Sequence, residues 1–365
     1  MKFELDVVLI EERCRSSALA ARLASAVAPE VEVRYVPDGR ESARPLAGER
    51  DPFAAAKRRL VVMERRAPFL MGCPAGSAEF ACCGYLVLVT ASNCPMDCSY
   101  CFLQEYVADN PGLQVYANYA AAFDELERLG RSAPGRSFRV GTGELADSLA
   151  FDTLTAISRD LVEYFAQREN LLLELKTKTD EVGNLLTMDP CGRTLVSWTL
   201  SPTRVYESSE HRTAPPAARI EAARGVLEAG YKVGFHLDPL IAYPEAEHDY
   251  GELIENLFDV IPPQRISFVS MGGLRMTPAL RAVARRRFPG DPMLLAGEEV
   301  LGRDGRMRSF TPLRMRLFAS IRARIERRAP KMPLYLCMES ASAYERVFGA
   351  TPATPAALGE RLVGR

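Results

Sequence analysis

The chain has 365 residues, of which 47% are hydrophobic and 25% charged, and its formal net charge is −1. This composition is normal for a globular protein with a sizeable core, and the balanced charge gives no general attraction to nucleic acid. Nothing in the sequence resembles an export signal or a membrane span. We therefore expect a cytoplasmic protein without membrane contact, in a compartment where free thiols and a reduced metal cluster survive.

Residues 1–84 predict a small N-terminal α/β segment. The apolar run at residues 7–10 predicts a buried strand, and the alanine- and leucine-rich stretch at 17–27 predicts a helix. Alternating apolar and polar residues at 31–36 predict a second strand. The polar stretch at 38–51 predicts a loop, so the segment begins as strand, helix and strand.

Residues 85–275 alternate regularly between strand and helix patterns. Strands are predicted at residues 86–89, 138–140, 171–175, 195–200, 232–237 and 266–270, and helices at 120–129, 148–167, 215–229 and 250–259. This alternation predicts an α/β fold, with a partial (β/α)6 TIM-like barrel over residues 85–275. Residues 276–365 are predicted to form a C-terminal extension with helices and a hairpin at 293–310, whose Asp-Gly pair favours a tight turn.

Several polar segments follow predicted strands of this barrel. They include a cysteine-rich loop after the first strand, residues 141–144 after the second, residues 176–180 after the third and Asp238-Pro239 at the end of the fifth. Parallel barrels carry their chemistry at the carboxyl ends of the strands. We therefore expect one site there, and His236, on a strand whose alternate residues face inward, is a candidate for its lining.

The cysteine-rich loop carries Cys94, Cys98 and Cys101 in a C-x3-C-x2-C pattern. Thiolates are the soft ligands that iron–sulfur clusters take, and a loop this short can hold three corners of a [4Fe–4S] cube. Three ligands for four irons leave one iron open to a small molecule. The pattern therefore predicts a cluster that also binds a ligand.

Two other interpretations of the cysteines remain open. A zinc site usually takes four ligands, so it would need a fourth from Cys73, Cys82, Cys83 or a distant histidine. A disulfide framework is disfavoured in a chain of this length that shows no export signal. We expect Cys73, Cys82 and Cys83 to be structural rather than a redox pair or a second metal site.

The cysteine pattern resembles the radical S-adenosylmethionine superfamily, whose open iron binds S-adenosylmethionine and whose reduced cluster cleaves it to a 5′-deoxyadenosyl radical. Within that superfamily the chain resembles the spore photoproduct lyase family, whose members reverse a thymine–thymine photoadduct in DNA. The stretches that carry the resemblance are 94–104, Thr177-Lys178, 210–223 and 229–235. The similarity extends over most of residues 80–350.

The resemblance implies a set of site residues. A [4Fe–4S] cluster would bind Cys94, Cys98 and Cys101, and S-adenosylmethionine would contact Gly141, Gly143, Glu144, Lys178, Thr199 and Ser201. Glycines let the backbone approach the methionine part, and a carboxylate can accept from its ammonium group. Tyr100 matches a family tyrosine near the cluster and is a candidate catalytic residue. The alternatives are an exposed strand-end role for Lys178, ordinary strand hydroxyls at Thr199 and Ser201, and simple packing for Tyr100.

The chain departs from the family where the hydrogen atom is handled. The lyases return hydrogen to the product radical through a cysteine that aligns with Thr142, and an O–H bond is too strong to replace S–H. A family tyrosine after the last cluster cysteine is Phe102 here. Cys337, predicted at a late strand end, is therefore the candidate hydrogen donor, with a buried structural role as the alternative.

The DNA-binding hairpin of the family is only partly matched. The lyases insert an arginine–tyrosine pair from a hairpin tip into DNA. Arg303 supplies the arginine and is the predicted nucleic-acid contact. The tyrosine position holds Asp304, which cannot stack on bases and is expected to repel phosphate.

The sequence therefore predicts a radical S-adenosylmethionine lyase of this family that abstracts hydrogen and repairs a thymine photoproduct in DNA. The expected partners are damaged DNA and a small electron donor such as a flavodoxin or ferredoxin. One alternative is an enzyme of the same fold that acts on a nucleoside, RNA or peptide. Another is a non-enzymatic iron–sulfur or zinc protein that binds nucleic acid, which would not cleave the cofactor.

Overall fold

The computed structural model describes residues 4–73, 80–81, 83–295 and 297–351, and two large sheets organise them. The larger one, the barrel sheet, has eight strands, seven of which run parallel in chain order. These seven barrel strands are Leu86–Leu88, Phe138–Gly141, Leu171–Thr177, Thr194–Thr199, Lys232–Leu240, Ile266–Gly273 and Leu334–Leu336. The first six confirm the six predicted strands, and the antiparallel strand Leu70–Gly72 lies beside the first.

The third and fourth barrel strands show the burial that is typical of a parallel sheet. Both are almost continuously buried, as expected for strands that are covered on both faces. The helices that follow the barrel strands along the chain are Leu103–Tyr106, Ala122–Ser132, Asp152–Thr155, Ile157–Ala166, Thr203–Ser209, Pro216–Glu228, Ala246–Val260, Pro278–Arg287, Pro292–Leu295, Thr311–Arg328 and Ala341–Phe348. None of the described helices is both long and apolar enough to cross a membrane.

One predicted helix ends where the sequence predicted, whereas another is broken into two helices. Helix Pro216–Glu228 stops before Gly230, whose φ of 94° is the conformation that glycine adopts easily. The single helix predicted at 148–167 is interrupted at Ala156, which has a φ of 51°. Asp152 accepts a hydrogen bond from the Ser158 backbone N–H at 2.9 Å, so this side chain starts a new helix inside the predicted one.

The second sheet, the N-terminal sheet, is built from interleaved parts of the chain. Its five strands, in spatial order, are Glu32–Val36, Val7–Glu11, Arg59–Met63, Leu113–Tyr116 and Ala91–Ser92. The first two strands and helix Ala18–Ala26 confirm the predicted elements, while the short helices Gly39–Ser42 and Pro52–Ala56 lie in and after the predicted loop. The last two strands come from between the first and second barrel strands, and one apolar core joins both sheets.

The predicted hairpin is present near the C-terminal end of the described chain. Strands Glu299–Leu301 and Met307–Ser309 pair antiparallel, and Arg275–Met276 adds a third strand. The Gly302 backbone N–H donates to the carbonyl of Arg306 at 2.8 Å, which closes the turn. Because Arg275–Met276 directly follows the sixth barrel strand, this pairing attaches the hairpin beside the carboxyl edge of the sheet.

Candidate active site

A cavity of about 430 Å³ opens at the carboxyl ends of the barrel strands. Of the predicted site residues, those that line it are Cys94, Cys98, Tyr100, Cys101, Gly143, Glu144, Lys178, Thr199 and Cys337. They come from loops after five different strands, so the expectation of one shared site at this edge agrees with the structure.

The cysteine loop is held in shape by side chains that bind its backbone. Asn93, buried with a φ of 65°, accepts a hydrogen bond from the Cys94 backbone N–H at 2.8 Å. The Gln104 side-chain amide donates to the carbonyls of Ser99 at 2.8 Å and Cys101 at 3.2 Å. The loop is therefore preorganised for whatever its thiols bind.

The arrangement of the thiols favours a cluster over a single zinc ion. The sulfur atoms of Cys94, Cys98 and Cys101 do not all lie within 4.8 Å of one another, and neither does any described trio that includes Cys73. Tetrahedral zinc, with Zn–S bonds of about 2.3 Å, would bring its sulfurs to about 3.8 Å. A cube with separate irons at its corners uses a wider spacing, so this donor set fits a [4Fe–4S] cluster.

Burial keeps these thiols protonated until a metal displaces the protons. It raises the pKa of Cys98 to about 12, against the lowering effect of nearby Lys178. On the protein side, the Lys57 ammonium binds Asp97 at 3.0 Å, and Arg287 binds the same carboxylate at 3.0 Å. These cations lie close to the loop and favour the negative charge that bound thiolates bring.

The cluster side of the cavity, which we define by Cys98, Tyr100, Lys178, Glu210 and Arg219, is a closed charge network. The Lys178 ammonium lies 3.0 Å from Glu210 and 3.8 Å from the Cys98 sulfur. Arg219 binds the other oxygen of Glu210 at 2.6 Å, and the Tyr100 hydroxyl also bonds this carboxylate. Burial alone would raise the pKa of Glu210, but the two cations hold it well below its ordinary value.

This network changes the interpretation of three predicted residues. Lys178 is not an exposed strand-end lysine, because its ammonium is shared between buried partners. Ser201 is not among the described residues that line the cavity; its hydroxyl donates to Glu210 at 2.8 Å. Thr199 lines the cavity, and its carbonyl accepts from Arg219 at 2.8 Å. Sequence reasoning missed Glu210 and Arg219, because only the chain crossover brings them to the lysine.

The opposite side, which we call the Cys337 side and define by Glu144, Lys176, Asp238, Arg275 and Cys337, is more open. Arg275 holds Asp238 with two hydrogen bonds, at 2.9 and 3.1 Å, and also donates to the Cys337 sulfur at 3.8 Å. Burial raises the pKa of Cys337 well above its ordinary value, so this thiol keeps its hydrogen. Sequence reasoning missed Arg275, and it placed Lys176 at this edge without assigning it a role.

The two glycines at the end of the second barrel strand have different surroundings. Gly143 lines the cavity, and a Cβ there would lie 2.6 Å from the Cβ of Lys176. Gly141 is buried and outside the described cavity lining, where a Cβ would lie 2.0 Å from the Tyr85 hydroxyl oxygen. The glycine at 141 therefore allows close packing against Tyr85, and its contact with the cofactor stays a prediction.

His236 lies one layer below the cavity and is not among the described lining residues, so the expectation that it lines the pocket is wrong. One ring nitrogen lies 2.9 Å from Glu174 and the other 2.6 Å from the Ser270 hydroxyl. Burial lowers the pKa of His236, which favours a neutral ring that donates to the carboxylate. Glu174 also approaches Arg139 at 3.4 Å, so a polar layer supports the cavity floor.

The hairpin tip is charged but internally neutralised. Arg303 is exposed at the tip, whereas Asp304 turns back to bind Arg306 at 3.1 Å and also Arg308. Two guanidinium groups therefore compensate the carboxylate of Asp304, which weakens the repulsion of phosphate expected from it, and that repulsion stays a prediction. Arg306 also lines the cavity, which links the hairpin to the site.

Of the other cysteines that the sequence singled out, Cys73 and Cys83 are among the described residues. Cys73 lines the cavity, and the Cys83 sulfur accepts from Arg139 at 2.8 Å. Cys82 lies outside the described residues, so the predicted structural role of this group stays a prediction.

Comparison with known proteins matches most of this chain to one family. The family model described as "Spore photoproduct lyase" matches residues 3–310. The spore photoproduct lyase of Clostridium acetobutylicum is 26% identical over 242 residues, which cover 66% of this chain and 69% of the relative. That of a Geobacillus strain is 28% identical over 261 residues, which cover 71% and 72%.

Solved structures agree with this at the level of the fold. A spore photoproduct lyase complexed with dinucleoside spore photoproduct superposes with a TM-score of 0.80 at 23% identity, covering 92% of this chain and 99% of that one. A mutant lyase with bound AdoMet and the same dinucleoside gives a TM-score of 0.79 with the same identity and coverage. The predicted partial barrel is therefore confirmed.

Proposed function

We propose that this chain, which belongs to the spore photoproduct lyase family of radical S-adenosylmethionine enzymes, repairs a thymine photoproduct in DNA. The observation that carries the proposal is that Cys94, Cys98 and Cys101 line the same cavity as Glu144 and Lys178. When bound there and reduced, a [4Fe–4S] cluster with S-adenosylmethionine would supply a 5′-deoxyadenosyl radical that abstracts hydrogen from the substrate. A flavodoxin- or ferredoxin-like protein would deliver the electron.

The protein's own charges would hold the cofactor at this position. Lys178, fixed between Glu210 and Tyr100, presents a donor 3.8 Å from the Cys98 sulfur, where a carboxylate of the cofactor would lie. Glu144 faces the cavity with a carboxylate that can accept from an ammonium group. Neighbouring apolar side chains, including Phe102 and Met96, exclude water from a reactive radical.

Cys337 is the side chain that we propose as the hydrogen donor to the product radical. Its sulfur lies in the cavity lining, and its high pKa keeps the S–H bond intact. Thr142 is not among the described lining residues, and its hydroxyl hydrogen-bonds with that of Ser148 at 2.8 Å. In the proposed step the S–H bond breaks, a C–H bond forms on the product, and an external thiol or the electron donor with a proton restores the thiol.

The hairpin would bring damaged DNA to the cavity. Arg303 is exposed at its tip, and Arg306 reaches the cavity lining from the same turn. Cations at such a tip bind phosphates without reading sequence. The neutralised Asp304 leaves this face positively charged.

A second candidate function is the same radical chemistry on another substrate, such as a nucleoside, RNA or peptide. It is favoured by Thr142 and Phe102, which stand where the family's hydrogen-donating cysteine and tyrosine are expected. It predicts that the cofactor is cleaved while the photoproduct in DNA stays intact.

The test is anaerobic reconstitution of the cluster followed by incubation with DNA that contains the spore photoproduct. The proposal predicts restored thymines together with 5′-deoxyadenosine, both measured by mass spectrometry. Cofactor cleavage without loss of the photoproduct would contradict the repair function and favour the second candidate. Absence of both products from a protein with full iron content would contradict the radical chemistry as well.

A further inference from the structure

The third barrel strand and its end present two lysines to the cavity, and they differ in what they already bind. Lys178 donates to Glu210 and Tyr100 and lies 3.8 Å from the Cys98 sulfur. Lys176 also lines the cavity, but among the described residues its ammonium makes no hydrogen bond and no ion pair. Lys176 is half-buried and lines the cavity, so its ammonium, which has no partner among the described residues, is available to a ligand there.

The surroundings of Lys176 keep it charged. Burial alone would lower its pKa, but Glu144, which follows the second barrel strand, and Asp238, on the fifth, raise it above the ordinary value. Asp238 is already bound by Arg275 at 2.9 Å, so it attracts Lys176 without accepting a hydrogen bond from it. The cavity therefore contains a positive charge at neutral pH that is balanced electrostatically but still has free donors.

The backbone fixes where this ammonium points. The Lys176 backbone N–H donates to the Ser148 hydroxyl at 3.0 Å, and the Lys176 carbonyl accepts from the Ser148 N–H at 3.1 Å. Gly143 leaves room for the lysine stem, because a Cβ at 143 would lie 2.6 Å from the Lys176 Cβ. The stem is thus guided into the cavity rather than left to solvent.

We propose that Lys176 is a substrate-contacting residue, whose ammonium binds an acceptor oxygen of the substrate beside Cys337. The oxygen would be either a base carbonyl or an oxygen of the phosphodiester. Lys176 lies among Glu144, Asp238 and Cys337, whereas Lys178 lies at Cys98 on the cluster side. The two lysines therefore divide the cavity, with Lys178 serving the cofactor and Lys176 the substrate. This inference rests on the proposed function for the identity of the substrate.

The experiment measures binding rather than turnover. Reconstituted protein with S-adenosylmethionine is dialysed anaerobically to equilibrium against two probes, the dinucleoside photoproduct without phosphate and the dinucleotide photoproduct with its bridging phosphate. Wild type is compared with Lys176→Met, Lys176→Arg and, as the matched loss of an exposed charge, Lys331→Met. Iron content, circular dichroism and S-adenosylmethionine affinity are measured on each protein.

Lys176→Met is expected to bind at least one probe about tenfold or more weakly, since a charge-assisted hydrogen bond contributes roughly that factor or more. Lys176→Arg should stay much closer to wild type, and Lys331→Met should match it. Weaker binding of both probes identifies a base carbonyl, and weaker binding of the dinucleotide alone identifies the phosphate. S-adenosylmethionine affinity should not change.

Two results would overturn the assignment. One is equal probe affinity in wild type and Lys176→Met, including no measurable binding by either. The other is a loss of S-adenosylmethionine affinity in its place, which would move Lys176 to the cofactor. Failure of the proposed function has a different signature, because wild type would then cleave the cofactor without forming thymine, whatever the dialysis shows for Lys176.

Discussion

The charged groups on the two sides of the cavity differ in how far the protein itself provides their hydrogen-bond partners. On the cluster side, Glu210 lies between Lys178 and Arg219, and its oxygens are saturated by short hydrogen bonds. On the Cys337 side, Lys176 and Glu144 both line the cavity, and among the described residues neither makes a hydrogen bond through its charged group. A closed network fixes geometry and an open one keeps capacity for ligands. We therefore expect the cluster on the first side, and on the second side the cofactor's ammonium group at Glu144 and the substrate at Lys176.

The largest expected effect is on cluster assembly and comes from removing the predicted metal ligands. Replacing Cys94, Cys98 or Cys101 with alanine should abolish cluster assembly and 5′-deoxyadenosine formation, because three corners of the cube depend on one loop. Iron and sulfide analysis after anaerobic reconstitution checks this. The exposed Cys191, changed to alanine, is the control and should retain full iron. A triple alanine variant with wild-type iron and sulfide would refute the cluster assignment.

The next effect is on stability and comes from the closed network itself. Glu210→Gln should lower the free energy of unfolding by about 3–5 kcal/mol, because it leaves two buried cations without their counter-charge. Urea unfolding measures the change. Glu228, which pairs with Arg224 on an exposed helix face, is the matched control, and Glu228→Gln should cost about 0.5 kcal/mol or less. Similar values for both variants would show that the network contributes no more than a surface pair.

Cofactor affinity should respond less strongly than stability. Lys178→Met and Glu144→Gln should each weaken S-adenosylmethionine binding about tenfold or more, since each would remove one charge-assisted contact. Isothermal titration of the reconstituted protein gives the affinities, with iron content measured alongside. Unchanged affinity in both variants would remove these residues from the cofactor site.

The smallest effect concerns acid stability and the layer below the cavity. Burial alone would raise the pKa of Glu174, but Arg139 and His236 hold it at about 2, below the ordinary 4.5. The stabilisation from this carboxylate is therefore complete above the ordinary pKa and is lost as pH falls towards 2. Glu174→Gln should be less stable than wild type at pH 7 but should lose less stability on acidification. Parallel losses in urea unfolding at pH 7, 5 and 3 would contradict this.

The features of the fold and site that could be predicted from the sequence are those encoded by patterns within a short stretch of the chain. Six parallel strands followed from apolar runs alternating with helical periodicity, and the cysteine loop followed from its spacing. The chain crossover that brings Glu210 to Lys178 has no local signal, and neither does the recruitment of Leu113–Tyr116 into the N-terminal sheet. Lys176 was placed at the same edge as Lys178 but was given no role, because a lysine at a strand end is ordinarily solvated. Only the depth of the cavity distinguishes these two positions from surface residues.

Hydrogen return to the product is the central claim of this account, because it connects the family's reaction with residues that differ from the family. The decisive measurement is mass analysis of the products from photoproduct DNA with wild type, Cys337→Ala, Cys73→Ala and Thr142→Cys. Cys73 is the matched control, since it is a second thiol in the cavity lining outside the cluster loop. We predict clean thymines with wild type and Cys73→Ala, loss of clean repair in Cys337→Ala, and its recovery when Thr142→Cys is added to Cys337→Ala. Clean repair by Cys337→Ala at the wild-type rate would contradict the account.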